Sequence, residues 1–194
     1  MDLATIARTA VHEHRASQNA EELADALELV AATVAGSVGV VVEIGCDRGG
    51  TLYAWRQVCD RVYGITLADN SYATGGGGLD LIDHGAVVRI GDSHDPESRW
   101  WLADQLNADV VGDLIDVLVI DGDHSVQGVF QDLADYQRFV RPGGITLLHD
   151  IHSKGDARCD VWKAWPEIRE MYRTEEIGNV HGWGVIFNDI GGAR

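Results

Sequence analysis

Basic residues are scarce. The chain carries 15 Lys and Arg against 31 Asp and Glu, a formal net charge of −16 at pH 7. A surface this acidic repels phosphate backbones and anionic lipid, so no nucleic-acid or membrane partner is expected. The same charge keeps a globular chain soluble, which is the blander use of it. No apolar run approaches the ~18 residues of a membrane span. The start, MDLATIARTAVHEHR, has neither the basic end nor the apolar block of a secretion signal. Cysteine is rare. Cys46, Cys59 and Cys159 form no Cys-x-x-Cys pair and no zinc spacing. They read as reduced thiols of a cytoplasmic protein.

What remains is ordinary for a folded domain: 194 residues, 45% hydrophobic and 24% charged. That composition excludes disorder throughout, and the length suits a single core. Residues 1–36 read as an N-terminal helical extension and 38–188 as the core of one domain. Residues 1–18 are weakly patterned, a frayed arm or a short helix. From Ala20 to about Ala35, Leu23, Leu27 and Val30 recur at helical spacing, with Asn19 able to cap the start and Gly36 the end.

Apolar runs then alternate with helical stretches. Strands are expected at Val40–Ile44, Arg61–Thr66, Ala86–Ile90, Leu114–Ile120 and Ile145–His149. Helices are expected at Thr51–Cys59, Pro96–Asn107, Val126–Val140 and Val161–Tyr172, the third stopped by a turn at Arg141-Pro142-Gly143-Gly144. Thr174–Ile177 and Trp183–Phe187 look like a closing antiparallel pair. Leu67–Leu79, with its glycine run from Gly75 to Gly78, reads either as a lid or as a plain surface loop. The alternation predicts an α/β fold, a doubly wound and mostly parallel sheet of about seven strands. Ligands of such sheets gather at the carboxyl ends of the strands.

Chemistry concentrates at those ends. The first strand runs into Glu43-Ile44-Gly45-Cys46-Asp47-Arg48-Gly49-Gly50-Thr51. Its glycines permit a sharp turn and a close backbone approach, Thr51 favours an anionic group, and Glu43 suits an ammonium. A zwitterionic amino-acid moiety fits better than a pyrophosphate. The spacing is neither G-x-G-x-x-G nor a Walker loop. The fourth strand ends in Asp121-Gly122-Asp123-His124-Ser125 and the fifth in His149-Asp150. Asp121, His149 and Asp150 can converge on a divalent cation, with His124 placed as a general base. Helix capping is the competing use of these residues, by Asp123 or Ser125. The third strand ends in Gly91-Asp92-Ser93-His94-Asp95-Pro96, where Asp92 and Ser93 can bond a base and Asp95 can cap the next helix.

Together VEIGCDRGGT, GDSHDP, IDGDHSVQGVFQDL and VRPGGITLLHDI resemble the class I S-adenosylmethionine-dependent methyltransferases. The likeness is strongest to the metal-dependent O-methyltransferases grouped with cephalosporin-hydroxylase-like and macrolide sugar enzymes. The resemblance implies a Rossmann-like sheet. It places S-adenosylmethionine against Glu43, Gly45, Cys46, Gly49 and Thr51, with Thr66 and Asp69 toward the ribose and Asp92 and Ser93 by the adenine. It assigns Asp121 to both cofactor and metal, His149 and Asp150 to the metal, and His124 to the base. Two positions depart from the family pattern. His149 stands where a carboxylate is usual; Mg²⁺ remains the expected ion, with Mn²⁺ or another transition metal as the alternative. The second strand ends in Thr66 rather than an acid.

The expected reaction is methylation of a hydroxyl on a small-molecule acceptor, a sugar or a natural-product scaffold. Rival readings are a non-catalytic cofactor-binding module with a decayed metal site, a metal-dependent hydroxylase, and a nicotinamide oxidoreductase. Trp162 and Trp165, three apart on a helix, could line the acceptor pocket or fill the core, and Trp183 could stand on its rim. The N-terminal helix could serve a homo-oligomer contact or cover one face of the sheet.

Overall fold

The computed structural model describes residues 2–37, 39–67, 85–107 and 114–189. Asp69 and the glycine run 75–78 lie outside them. The described chain forms helices α1 (Leu3–His12) and α2 (Ala20–Val34), strand β1 (Val40–Ile44), helix α3 (Gly50–Arg56), strands β2 (Arg61–Thr66) and β3 (Val87–Ile90), and helix α4 (Pro96–Asn107). There follow β4 (Ile115–Ile120), α5 (Val126–Tyr136), β5 (Val140–His149), α6 (Val161–Met171), β6 (Thr174–Ile177) and β7 (Trp183–Phe187). The sheet order is β3-β2-β1-β4-β5-β7-β6. The first five strands of that order run parallel, while β7 pairs antiparallel with both β5 and β6.

Alternating residues of each strand feed two cores. Val41, Val117, Val119, Ile145 and Leu147 join α1, α2 and α3 on one face. Val40, Val42, Ile44, Leu118, Ile120 and Leu148 join α4, α5 and α6 on the other. Every residue of β1 and β4 is buried, as expected of parallel strands covered on both sides. Asp116 is the polar residue inside β4. Its carboxylate accepts from the Val40 backbone N–H at 2.8 Å and pairs with Arg141, which locks the feet of β1, β4 and β5 together.

The local signals hold at most boundaries. Asn19 caps α2 by accepting from the Glu21 and Glu22 N–H groups, and Gly36 follows the helix at φ 79°. The weakly patterned start is helical in α1, capped by Asp2. One expectation fails. Val126–Val140 is not a single helix: α5 ends at Tyr136, a 3₁₀ turn covers Gln137–Phe139, and Arg141-Pro142-Gly143-Gly144 lies within β5. Asn188 explains the difference. Its backbone carbonyl accepts from the Gly143 N–H at 2.7 Å and its side-chain amide donates to the Val140 and Arg141 carbonyls, extending the strand backwards. No helix among the described residues is long and apolar enough to cross a membrane.

Candidate active site

The sheet order reverses between β1 and β4, so their carboxyl ends border the crevice where ligands of such folds bind. Gly45 turns there at φ 85°, and a Cβ on it would sit 2.1 Å from the Asp121 carbonyl oxygen. Only glycine lets the two strand ends touch. The Asp121 N–H then donates to the Ile44 carbonyl at 2.9 Å, which fixes Asp121 at the mouth.

Asp121, His124, His149 and Asp150 come together. Asp121 Oδ1 lies 3.1 Å from His124 Nε2 and 3.2 Å from His149 Nδ1. Asp150 Oδ2 lies 3.6 Å from His124 Nδ1 and 3.6 Å from His149 Nδ1. Asp150 takes the left-handed backbone conformation at φ 67°, unusual for a residue with a side chain, and Ser153 Oγ donates to its Oδ1 at 2.5 Å. Burial favours the neutral imidazole of His149, but the adjacent Asp121 and Asp150 outweigh it and its pKa is pushed up to about 10. Burial likewise works against the Asp121 carboxylate, yet the two histidines hold its pKa well below the usual range. His124 feels the same opposition: burial lowers its pKa, and Asp121 and Asp150 raise it further.

Asp121, His149 and Asp150 each offer a ligand atom, all within 4.8 Å of one another. Two carboxylates and one imidazole at that spacing suit a divalent cation, and the nitrogen donor suits a transition metal better than Mg²⁺.

The β1–α3 turn behaves differently from the expectation. Thr51 does not present its hydroxyl to the crevice; Thr51 Oγ1 donates to Glu43 Oε2 at 2.7 Å. Glu43 is fully buried, and burial, partly relieved by Thr51, pushes its carboxyl up to about 8. The Trp55 side chain beside it also opposes that rise, though outside close hydrogen-bond geometry. Cys46 is buried and its sulfur faces β2, where a Cβ on Gly64 would meet it at 2.9 Å; only its backbone remains for a ligand. Gly49 takes φ 83° and donates its N–H to the Cys46 carbonyl, closing the turn. Thr66 is buried at the end of β2. Asp92 accepts from the His94 N–H at 2.9 Å in a local turn, and the buried Ser93 carbonyl accepts from Tyr136 Oη at 2.6 Å. Ser125 is the cap of α5, its Oγ accepting from the Gly128 N–H, while Asp123 accepts from the Ser125 N–H in the turn before it.

Three aromatic expectations resolve. Trp165 is buried and donates to Glu176, whereas Trp162 lies under the ammonium groups of Lys154 and Lys163. Trp183 is not a rim residue. It is fully buried, with its ring 4.3 Å from that of His149.

Sequence reasoning missed Gln18, whose amide donates to Asp121 Oδ2 at 2.8 Å, and His181, whose Nδ1 lies 3.4 Å from Asp150 Oδ1. Gln18 follows the poorly patterned start and carries no local signal. His181 sits in a glycine-flanked turn before β7 that reads as structural.

Residues 42–151 match the model of the family described as methyltransferase domain, more than half of the chain. The chain belongs to this methyltransferase-domain family. No curated protein matches it in sequence. Among solved structures it is similar in fold to the MycE methyltransferase from the mycinamycin biosynthetic pathway, bound to Mg, SAH and mycinamycin VI: TM-score 0.67, 17% identity, covering 99% of this chain and 56% of that one. It thus spans little more than half of MycE. It is also similar to TomG, an O-methyltransferase of Streptomyces achromogenes involved in tomaymycin synthesis, solved with SAM: TM-score 0.64, 14% identity, covering 97% of this chain and 90% of that one. An O-methyltransferase from Bacillus cereus in complex with SAH gives 0.59, at 14% identity over 96% and 90% of the two chains. At these identities the likeness is one of fold, and the fold is that of a Rossmann-like methyltransferase.

Proposed function

We propose that this methyltransferase-domain protein transfers a methyl group from S-adenosylmethionine to a hydroxyl of a small molecule, a sugar or a natural-product scaffold, with a divalent metal assisting. The observation that carries the reading is the meeting of Asp121, His124, His149 and Asp150 beside the Gly45 turn, where a cofactor of this fold would end.

The sulfonium already makes its methyl group electrophilic. What the protein must add is a deprotonated oxygen held in line with that carbon. His124 is about one-third exposed, at the crevice mouth, and takes the hydroxyl proton. The oxygen's lone pair forms the new O–C bond, the S–C bond breaks, and its electron pair returns to sulfur as a neutral thioether. Asp121 and Asp150, one on each side of the imidazole, orient it and stabilise the imidazolium that results. A divalent cation held by Asp121, His149 and Asp150 would polarise the acceptor hydroxyl and offset the carboxylate charge that favours protonated His124.

Titration calorimetry with S-adenosylhomocysteine tests the cofactor. Micromolar binding is expected, and a protein that takes up neither this compound nor S-adenosylmethionine overturns the reading.

A further inference from the structure

The segment between α1 and α2 crosses the crevice mouth and is firmly held there. The Ala16 N–H donates to the Ala10 carbonyl at 2.9 Å, Ser17 Oγ donates to Asp47 at 3.3 Å, and the His14 ring lies 4.1 Å from that of Tyr53 on α3. Arg15 takes φ 61° to make the bend. The contact with α3 is so close that a Cβ on Gly50 would fall 2.3 Å from the Ala16 nitrogen.

This strap delivers Gln18 to the site. Its amide donates to Asp121 Oδ2, the oxygen that faces away from His124 and His149. Its carbonyl oxygen Oε1 is buried and has no partner among the described residues. A buried acceptor left unmet is costly, so it marks the place of a missing donor. An unmet carbonyl beside the Asp121 carboxylate calls for a positive donor with several N–H groups. A primary ammonium has three.

We infer that Gln18 binds the cofactor: its carbonyl accepts from the α-ammonium of the donor's amino-acid portion while its amide positions Asp121. The inference rests on the methyl-transfer reading above. It makes the strap part of the cofactor site, although residue 18 precedes the stretch that matches the family.

Two ligands separate this role from a structural one. S-adenosylhomocysteine carries the ammonium; 5′-methylthioadenosine keeps the nucleoside and thioether but lacks the amino-acid portion. Titration calorimetry of Gln18→Ala should show S-adenosylhomocysteine weakened about tenfold, the cost of one hydrogen bond to a charged group, with methylthioadenosine unchanged. Gln18→Met keeps the volume and repeats the test should the alanine variant not fold. Equal weakening of both ligands means the strap only supports the fold, and undiminished S-adenosylhomocysteine binding means Gln18 does not touch it. Either result overturns the inference while leaving the methyl-transfer reading intact. A wild-type protein that binds neither ligand overturns the reading itself, and the inference with it.

Discussion

His124 Nε2 lies 3.1 Å from Asp121 Oδ1, and its Nδ1 lies 3.6 Å from Asp150 Oδ2, so one imidazole spans the ends of two neighbouring strands. A residue so placed can act on the acceptor without lining the cofactor's methionine end. His124→Ala should therefore lower turnover by about 10²–10⁴-fold, the usual worth of a general base. Affinity for S-adenosylhomocysteine should stay within about twofold, since the variant keeps Glu43, Gly45 and the β1–α3 turn. Steady-state kinetics beside calorimetry measures both, and unchanged turnover removes His124 from catalysis.

In the proposed metal-assisted reaction, His149 would set the choice of metal. Its Nδ1 takes a position between Asp121 and Asp150, and an imidazole there favours borderline metals over Mg²⁺. Thermal melting with each ion in turn should show a larger stabilisation by Mn²⁺, Co²⁺ or Zn²⁺ than by Mg²⁺. His149→Asp should narrow or reverse that order by supplying a third hard oxygen ligand. Equal shifts for Mg²⁺ and Mn²⁺ in both proteins would refute a selective role for the nitrogen.

Much of this was legible in the chain itself. β1, β2, β6 and β7 fall at their expected bounds because apolar runs closed by glycine or polar turns leave little choice. The convergence of Asp121 with His149 and Asp150 was legible because β4 and β5 are parallel neighbours, which puts both carboxyl ends on one edge. Longer-range effects were not. The backward extension of β5 depends on Asn188, far along the chain, and the capture of Thr51 by Glu43 depends on a carboxylate buried within β1. Gln18 reaches Asp121 across 103 residues, a separation that no local pattern encodes.

Asp132 makes stability depend on pH. It is fully buried on α5, with His94 Nε2 3.3 Å from its Oδ1. Burial, reinforced by Asp123 and Asp135 and opposed by Ser93 and His94, raises its pKa from 3.8 to about 6. The stability this carboxyl brings is therefore complete below pH 3.8 and is lost as pH rises through about 6. Asp132→Asn should flatten that part of the profile, so urea denaturation at about pH 4 and about pH 7 should bring the variant's two midpoints closer together than the wild type's. Parallel profiles would mean the buried carboxyl costs nothing to ionise.

Glu22 ties the N-terminal helices to the far edge of the sheet. It is only 3% exposed, and its carboxylate accepts from the backbone N–H groups of Val180, His181 and Gly182 in the β6–β7 turn. Burial raises its pKa, but those N–H groups outweigh burial and hold it below 4.5. Here the stability is present above pH 4.5 and is lost as pH falls through the depressed value, opposite in sign to Asp132. Glu22→Gln replaces one acceptor oxygen with a donor that faces N–H groups, at a cost of about 1–3 kcal/mol near neutral pH. The cost should shrink in acid, where the wild-type carboxyl is itself protonated. The same turn carries His181, whose imidazole lies 3.4 Å from Asp150 Oδ1 and 3.1 Å from Ser153 Oγ. Glu22→Gln should therefore also weaken metal-dependent thermal stabilisation, although Glu22 touches no proposed ligand. A variant that loses stability equally at neutral and acid pH, with its metal response intact, would show that Glu22 merely fills space between α2 and the turn.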